Sequence, residues 1–286
     1  MSESRRLLGT DNHDRNAAGL TYVYPVISRR AGGVSVGINL NPNNACNWHC
    51  AYCQVPELVR GAAPDIDIPL LEKELRRFLQ DVLEGDFMAR CVPEDCRKLC
   101  DIAISGNGEP TSSAQFDEVV AVICGVMRDL GLAGRIPLVL ISNGSYVHRR
   151  HVRDGLERIE ALGGEAWLKV DSATEEGIRR INGVSLSPAR LHDQIKACAG
   201  ICPTWIQTCV MTWDGASPNK AEQQAYVRFL ARLVAEGVPL KGVRLYGLAR
   251  PSLQPEAIHV GRLSESWMQS FAARIKATGL KVLLTP

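Results

Sequence analysis

The chain has 286 residues, with 33 Lys and Arg against 31 Asp and Glu for a formal net charge of +2. Apolar residues make up 45% and charged residues 22%, the balance of a globular protein with a substantial core, which excludes a disordered or fibrous chain. So small a net charge supplies no field that would hold nucleic acid by itself, and the longest apolar stretch, residues 119–127, falls far short of the roughly 20 that a bilayer span needs.

Residues 1–16 are polar and lack the apolar core of a secretory signal, so we expect a polar arm over 1–20 and the folded body over 21–286. Ten cysteines with no export signal point to a reducing, cytoplasmic setting and to metal or redox chemistry in place of disulfides.

In chain order, the first strand is expected over Val34–Leu40 and ends in Asn41-Pro42-Asn43-Asn44. Asp67 and Pro69 read as the N-cap and first turn of a helix whose apolar positions run from Leu71 to Leu83, with Gly85 ending it. Strands are expected over Ile102–Ser105, Leu138–Ser142, Glu165–Asp171, Thr204–Thr212, Val243–Leu248 and Lys281–Leu284. Helices are expected over Ala114–Leu130, Val147–Leu162, Ala221–Glu236 and Glu265–Thr278. Ser172 with Glu175 fits a capping box, and Ser187-Pro188 opens a further helix. Strands alternating with helices in this way build a parallel α/β sheet, here expected to curl into an incomplete barrel with its site at the C-terminal strand ends.

After the first strand comes Cys46-Asn-Trp-His-Cys50-Ala-Tyr-Cys53. Three thiolates in one short loop can ligate three irons of a cubic cluster, leaving the fourth for another ligand. A structural zinc site would want a fourth ligand and paired Cys-x-x-Cys units, and His49 lies awkwardly between two of the thiols.

With Tyr52 before the third cysteine, Cys46, Cys50 and Cys53 resemble the hallmark of the radical S-adenosylmethionine (radical SAM) superfamily. The resemblance extends to Gly106-Asn107-Gly108-Glu109-Pro110 and Ser142-Asn143-Gly144 at later strand ends. It implies an α/β fold, a partial (β/α)6 TIM-like barrel with a short N-terminal arm and a C-terminal helix and strand. It implies a 4Fe-4S cluster on the three cysteines and S-adenosylmethionine on the open iron, whose reductive cleavage gives a 5′-deoxyadenosyl radical that abstracts hydrogen from a substrate. The implied cofactor contacts are Tyr52, Gly106, Gly108, Glu109, Ser142, Asn143, Lys169 and Asp171, and on the fifth strand Gln207 and Met211. The implied partner is an electron donor such as flavodoxin or ferredoxin.

The alternatives for these residues are an ordinary strand-to-helix turn at Gly106–Pro110, an internal ion pair between Lys169 and Asp171, and simple core filling at Met211. Arg244, Tyr246 and Arg250 are candidates to meet an anionic substrate. Cys91, Cys96 and Cys100, or Cys198, Cys202 and Cys209, are candidates for an auxiliary cluster, whereas Cys124 reads as core.

Arg30-Ala-Gly-Gly-Val-Ser-Val-Gly-Ile-Asn-Leu-Asn-Pro and Ser-Gly-Asn-Gly-Glu-Pro-Thr are most similar to the wyosine-synthase-related branch, which admits an RNA nucleoside as substrate. No cysteine precedes Cys46, where wyosine synthases hold a second cluster. A protein-modifying relative, either a glycyl-radical activase or a peptide maturase, and a non-catalytic iron–sulfur or zinc module are the other readings.

Overall fold

The structure, a computed structural model, describes residues 7–9, 19–28 and 32–286. Of the expected arm only 7–9 and 19–20 fall within this set; its remainder, and Arg30, lie outside the described residues.

Eight strands form one sheet in chain order. They are β1 (Val23–Ser28), β2 (Gly33–Ile38), β3 (Leu99–Ile104), β4 (Leu138–Ser142), β5 (Glu165–Lys169), β6 (Thr204–Val210), β7 (Leu240–Gly247) and β8 (Val282–Thr285). β1 runs antiparallel to β2, and every later neighbour is parallel. The curled sheet is the α/β partial barrel expected from the sequence.

β1 escaped the sequence reading because Pro25 interrupts it. Proline cannot donate to a ladder and survives in sheets mainly on edges, and β1 is the edge strand.

The helices pack outside. The helices of eight residues or more are α1 (Ile68–Leu83), α2 (Phe116–Asp129), α3 (Arg150–Ala161), α4 (Glu175–Asn182), α5 (Pro188–Ala199), α6 (Lys220–Ala235) and α7 (Glu265–Lys276). α1 starts as its sequence dictates. The Asp67 side chain accepts from Leu70 N at 3.0 Å, and Leu71, Leu75, Phe78, Leu79 and Val82 fall on the buried face. Glu74, on that same face, accepts the backbone N–H groups of Thr21 and Tyr22 at 2.8 Å each, which anchors the entrance to β1.

The expected cap of α4 is corrected. Thr174, and not Ser172, is the N-cap and accepts from Gly177 N, while Ser172, two residues earlier, accepts from Thr174 N.

Two apolar regions result. One lies between sheet and helices, and a smaller one, Ala103, Val139, Trp167 and Trp205, lies inside the curl. Beneath the latter, the Glu165 carboxylate accepts from Trp167 Nε1 (2.7 Å), Trp205 Nε1 (3.1 Å), Lys241 Nζ (2.6 Å) and Arg244 Nη2 (3.2 Å). The Arg244 guanidinium lies 3.7 Å from the Trp167 ring centroid and 4.7 Å from that of Trp205. Arg244 is therefore committed to a structural plug and does not stand ready for an anionic substrate, as its sequence position had suggested. Among the described residues, no helix is long and apolar enough to cross a membrane.

Candidate functional site

Asparagines fold the cysteine loop. Asn39 Oδ1 accepts from Asn41 N (3.1 Å) and Asn107 N (3.0 Å), joining the exit of β2 to the glycine-rich turn after β3. Asn41 Nδ2 donates to Ala45 O at 2.9 Å. Asn44, at φ 55°, takes the left-handed turn that Asn tolerates better than most residues. Ala45–Cys46 then pairs with Val59–Arg60, and His49 N and Ala51 N donate to Asn182 O and Ile181 O at the end of α4. Each side of the loop is thus bonded to a different part of the scaffold.

The three thiols line one cavity of about 300 Å³. Tyr52, Gly106, Gly108, Glu109, Ser142, Asn143, Lys169 and Gln207 line it too, so strand ends far apart in sequence meet here. Asp171 and Met211 do not; they face a neighbouring cavity of about 200 Å³. Side chains alternate across a sheet only while the ladder is regular, and β5 ends at Lys169 and β6 at Val210, just before these two residues.

Among the described residues no three His, Cys, Asp or Glu side chains close on a point as ligands of a single ion would. A cubic cluster asks for the opposite, one thiolate per iron corner. Burial, aided by nearby Glu109, pushes the Cys46 thiol up to about 12, and burial does the same at Cys50 despite Lys169. Trp48 N and Asn182 Nδ2 each approach a thiol sulfur as donors at 3.4 Å, to Cys46 and Cys50 respectively.

Glu109 is buried, and burial raises its pKa against the donors that oppose it. Oε1 accepts from Thr111 N (3.1 Å), the Thr111 hydroxyl and Ser142 Oγ (2.7 Å), and Oε2 accepts from Asn143 N at 2.7 Å. The carboxylate therefore clamps the end of β4 to the turn after β3, and Oε2, with a single donor, keeps acceptor capacity on a residue that lines the cavity. Asn143 Nδ2 continues the link to Asn47 Oδ1 of the cysteine loop at 2.8 Å.

Lys169 Nζ donates to Tyr52 OH (2.8 Å) and Tyr246 OH (3.4 Å), and Tyr52 OH donates to Asp171 Oδ2 at 2.6 Å. Asp171 also accepts from Asn182 Nδ2 (2.7 Å) and Cys209 N (2.8 Å). Lys169 and Asp171 are thus joined through a tyrosine, in a variant of the internal pair that the sequence left open. Burial alone would lower the lysine pKa, but the acidic groups of Tyr246, Asp171, Cys50 and Cys209 outweigh it and raise it. Gln207 is buried in the cavity wall, and its Oε1 has no hydrogen-bond partner, an acceptor waiting for a donor.

Gly108 lines the cavity and also makes room for the cysteine loop. An added Cβ would lie 1.9 Å from Ala45 O, one residue before Cys46, and 2.7 Å from Asn41 Cγ. Gly106, at φ 153°, is wedged against Asn39 in the same way. The glycines thus make room for the loop as well as lining the cavity.

Tyr246 and Arg250, offered for an anionic substrate, line the cavity, whereas Asn39, Asn41, Asn182 and Tyr24 went unrecognised as parts of this site. Tyr24 had no visible signal: its ring covers Gly37, and its hydroxyl bonds Ser105 Oγ at 2.9 Å across the curl. One of the two cysteine groups offered for an auxiliary cluster is split: Cys198, at the end of α5, and Cys202 lie by the start of β6, whereas Cys209 lines the cavity at its other end.

No protein-family model matches the chain. An UPF0026 protein of Methanocaldococcus jannaschii is 29% identical over 160 residues, which is 55% of this chain and 42% of the relative. A second UPF0026 protein, from Synechocystis, is 26% identical over 207 residues, 69% of this chain and 68% of the relative. The chain spans less than half the length of the first of these relatives. A radical SAM methyltransferase structure from Sphaerobacter thermophilus superposes with a TM-score of 0.61 at 13% identity, covering 92% of this chain and 68% of that one. At such low identity the likeness speaks for fold, and it agrees with the resemblance carried by the cysteine loop. The chain has the fold of the radical SAM enzymes, a curled, incomplete α/β barrel whose cysteine loop follows β2.

Proposed function

We propose that the chain is a radical SAM enzyme. Cys46, Cys50 and Cys53 would hold a 4Fe-4S cluster, and the cavity beside them would take S-adenosylmethionine. The observation that carries this is the meeting of three loop thiols with four parallel-strand ends in one cavity. The donor set fits the cofactors. Soft thiolates suit iron–sulfur ligation, Oε2 of Glu109 can accept from an ammonium group, and the orphan Gln207 Oε1 can accept from a hydroxyl or amine.

When bound, the two cofactors supply one-electron cleavage of the S–C5′ bond and a 5′-deoxyadenosyl radical able to take hydrogen from an unreactive C–H bond. The protein's own part is positioning. Asn39, Asn41 and the end of α4 fix the loop, Glu109 fixes the turn after β3 against β4, and Tyr52 holds Lys169 against the loop. A one-electron donor of the flavodoxin or ferredoxin kind and a cytoplasmic setting belong to the same proposal.

The test is anaerobic reconstitution with iron and sulfide, followed by metal analysis and a 5′-deoxyadenosine assay under strong reductant. The native chain should load close to four irons per chain, as a cubic cluster demands. Cys50→Ala should abolish both cluster and cleavage, and retained cleavage in that variant would refute the ligand assignment.

A further inference from the structure

The last residue of α4 carries a buried amide whose role at the site goes beyond holding the loop. Asn182 is 1% exposed, and α4 ends hard against the cysteine loop. The Asn182 carbonyl accepts from His49 N at 3.0 Å, and the Ile181 carbonyl accepts from Ala51 N at 2.7 Å. Gly183 follows at φ 65°, and a Cβ there would lie 2.6 Å from His49 O. The backbone around Asn182 is thereby fixed relative to Cys50 without help from the Asn182 side chain.

The side chain has little freedom of its own. Its Nδ2 group donates to Asp171 Oδ2 at 2.7 Å and to Cys50 Sγ at 3.4 Å, one contact for each N–H. Asp171 sets which way the amide faces. Its oxygens already accept from Tyr52 OH (2.6 Å) and Cys209 N (2.8 Å), so it turns toward Asn182 an acceptor that the NH2 side alone can satisfy. Lys169 holds Tyr52 in turn, at 2.8 Å. A buried chain of hydrogen bonds thus aims one N–H at the Cys50 sulfur. Burial opposes the charged form of Cys50, as does Asp171, whereas Lys169 and the Asn182 amide favour it.

We propose that the Asn182 side chain tunes the reduction potential of the cluster, raising it through the N–H contact to the Cys50 sulfur. The inference rests on the cluster assignment proposed above and adds a residue that sets how readily the cluster is reduced. Reduction adds one electron, whose charge is shared with the ligating sulfurs, and a donor on one sulfur stabilises that added charge. The electron passes from the reductant to the cluster, with no bond formed or broken and no proton moved. Trp48 N plays the same part at Cys46, but it is a main-chain donor that side-chain replacement leaves in place. Asn182 is where the contact can be deleted while the loop keeps its backbone supports.

The test is a redox titration of the anaerobically reconstituted chain, read by EPR of the reduced cluster. Asn182→Leu is close in size, keeps both backbone contacts and removes the donor. Its iron content should match that of the native chain. At a fixed potential, its ratio of reduced to oxidised cluster should fall about threefold or more. Threefold corresponds to a downward shift of about 28 mV, at about 59 mV per tenfold for one electron. A second measurement does not depend on the variant. With the asparagine side-chain nitrogens isotopically labelled, pulsed EPR of the reduced native cluster should show labelled nitrogen coupled to the electron spin. That coupling should vanish in Asn182→Leu. An unchanged or raised potential at full iron loading would overturn the proposal, and so would absence of the coupling in the native chain. Loss of iron from Asn182→Leu would overturn it as well, because the amide would then build the loop and not tune the cluster. A native chain that takes up no four-iron cluster would strike the enzyme assignment itself, and this inference with it, before any potential is read.

Discussion

Gly108 is the tightest point of the candidate site. Its missing side chain leaves room for the backbone of Ala45, and a methyl group there would sit 1.9 Å from that carbonyl oxygen. No flexible side chain can swing aside to relieve the contact, so the loop backbone must move. We expect Gly108→Ala to lose iron after reconstitution, because Cys46 is the next residue on the displaced backbone. Iron and sulfide per chain measure this, and full loading with only weakened S-adenosylmethionine binding would show instead that the glycine serves the ligand. Gly125 makes the contrast. It lies inside α2, and an added Cβ would meet nothing within 4 Å. Gly125→Ala should raise stability by about 0.5–1 kcal/mol, through the backbone entropy that glycine loses on entering a helix, as measured by urea denaturation.

At the scale of elements, the sequence was legible wherever local chemistry decides. The Asp67 cap, the buried stripe of α1, the β4 strand Leu138–Ser142 and the Ser187-Pro188 start of α5 all follow from nearest-neighbour physics. What could not be read locally depends on tertiary contact. β1 exists because β2 offers it a partner, and Pro25 is tolerated only because the strand lies on the edge. Alternation along β5 and β6 correctly sent Lys169 and Gln207 to the cavity and failed at Asp171 and Met211, where the ladder had already ended. Cysteine spacing announced the loop, but its supports were hidden in plain asparagines. Asn39, Asn41 and Asn182 look like turn formers in the sequence and act as joints between elements 60 and more residues apart. Several residues expected to touch cofactor, Glu109 and Asn143 among them, prove to hold the scaffold as well. One side chain can do both because a carboxylate or amide has more hydrogen-bonding capacity than one neighbour uses.

Over the whole molecule, the curled sheet needs a stopper beneath its interior, and Glu165 is its centre. One carboxylate takes two indole N–H groups, one ammonium and one guanidinium, drawn from β5, β6 and β7. Burial alone would raise its pKa, yet Lys241, Trp167 and Trp205 together lower it below the ordinary 4.5. Removing the acid leaves Arg244 half enclosed between two indoles with its charge uncompensated, and leaves both indole donors without their acceptor. Breaking a buried pair from one side usually costs about 3–5 kcal/mol, and Glu165→Ala should fall in that range by urea denaturation. The sign with pH follows from the lowered value. The unfolded chain binds the proton more readily, so this stabilisation is complete above the ordinary carboxylate range and is lost as pH falls through the folded value. The stability gap between the native chain and Glu165→Gln, whose amide cannot ionise, should accordingly be widest near neutrality and should narrow below about pH 4.5. A gap that stayed constant or widened on acidification would mean that Glu165 is held neutral within the plug. In that case Lys241 and Arg244 would have to find their counter-charge elsewhere in the curl.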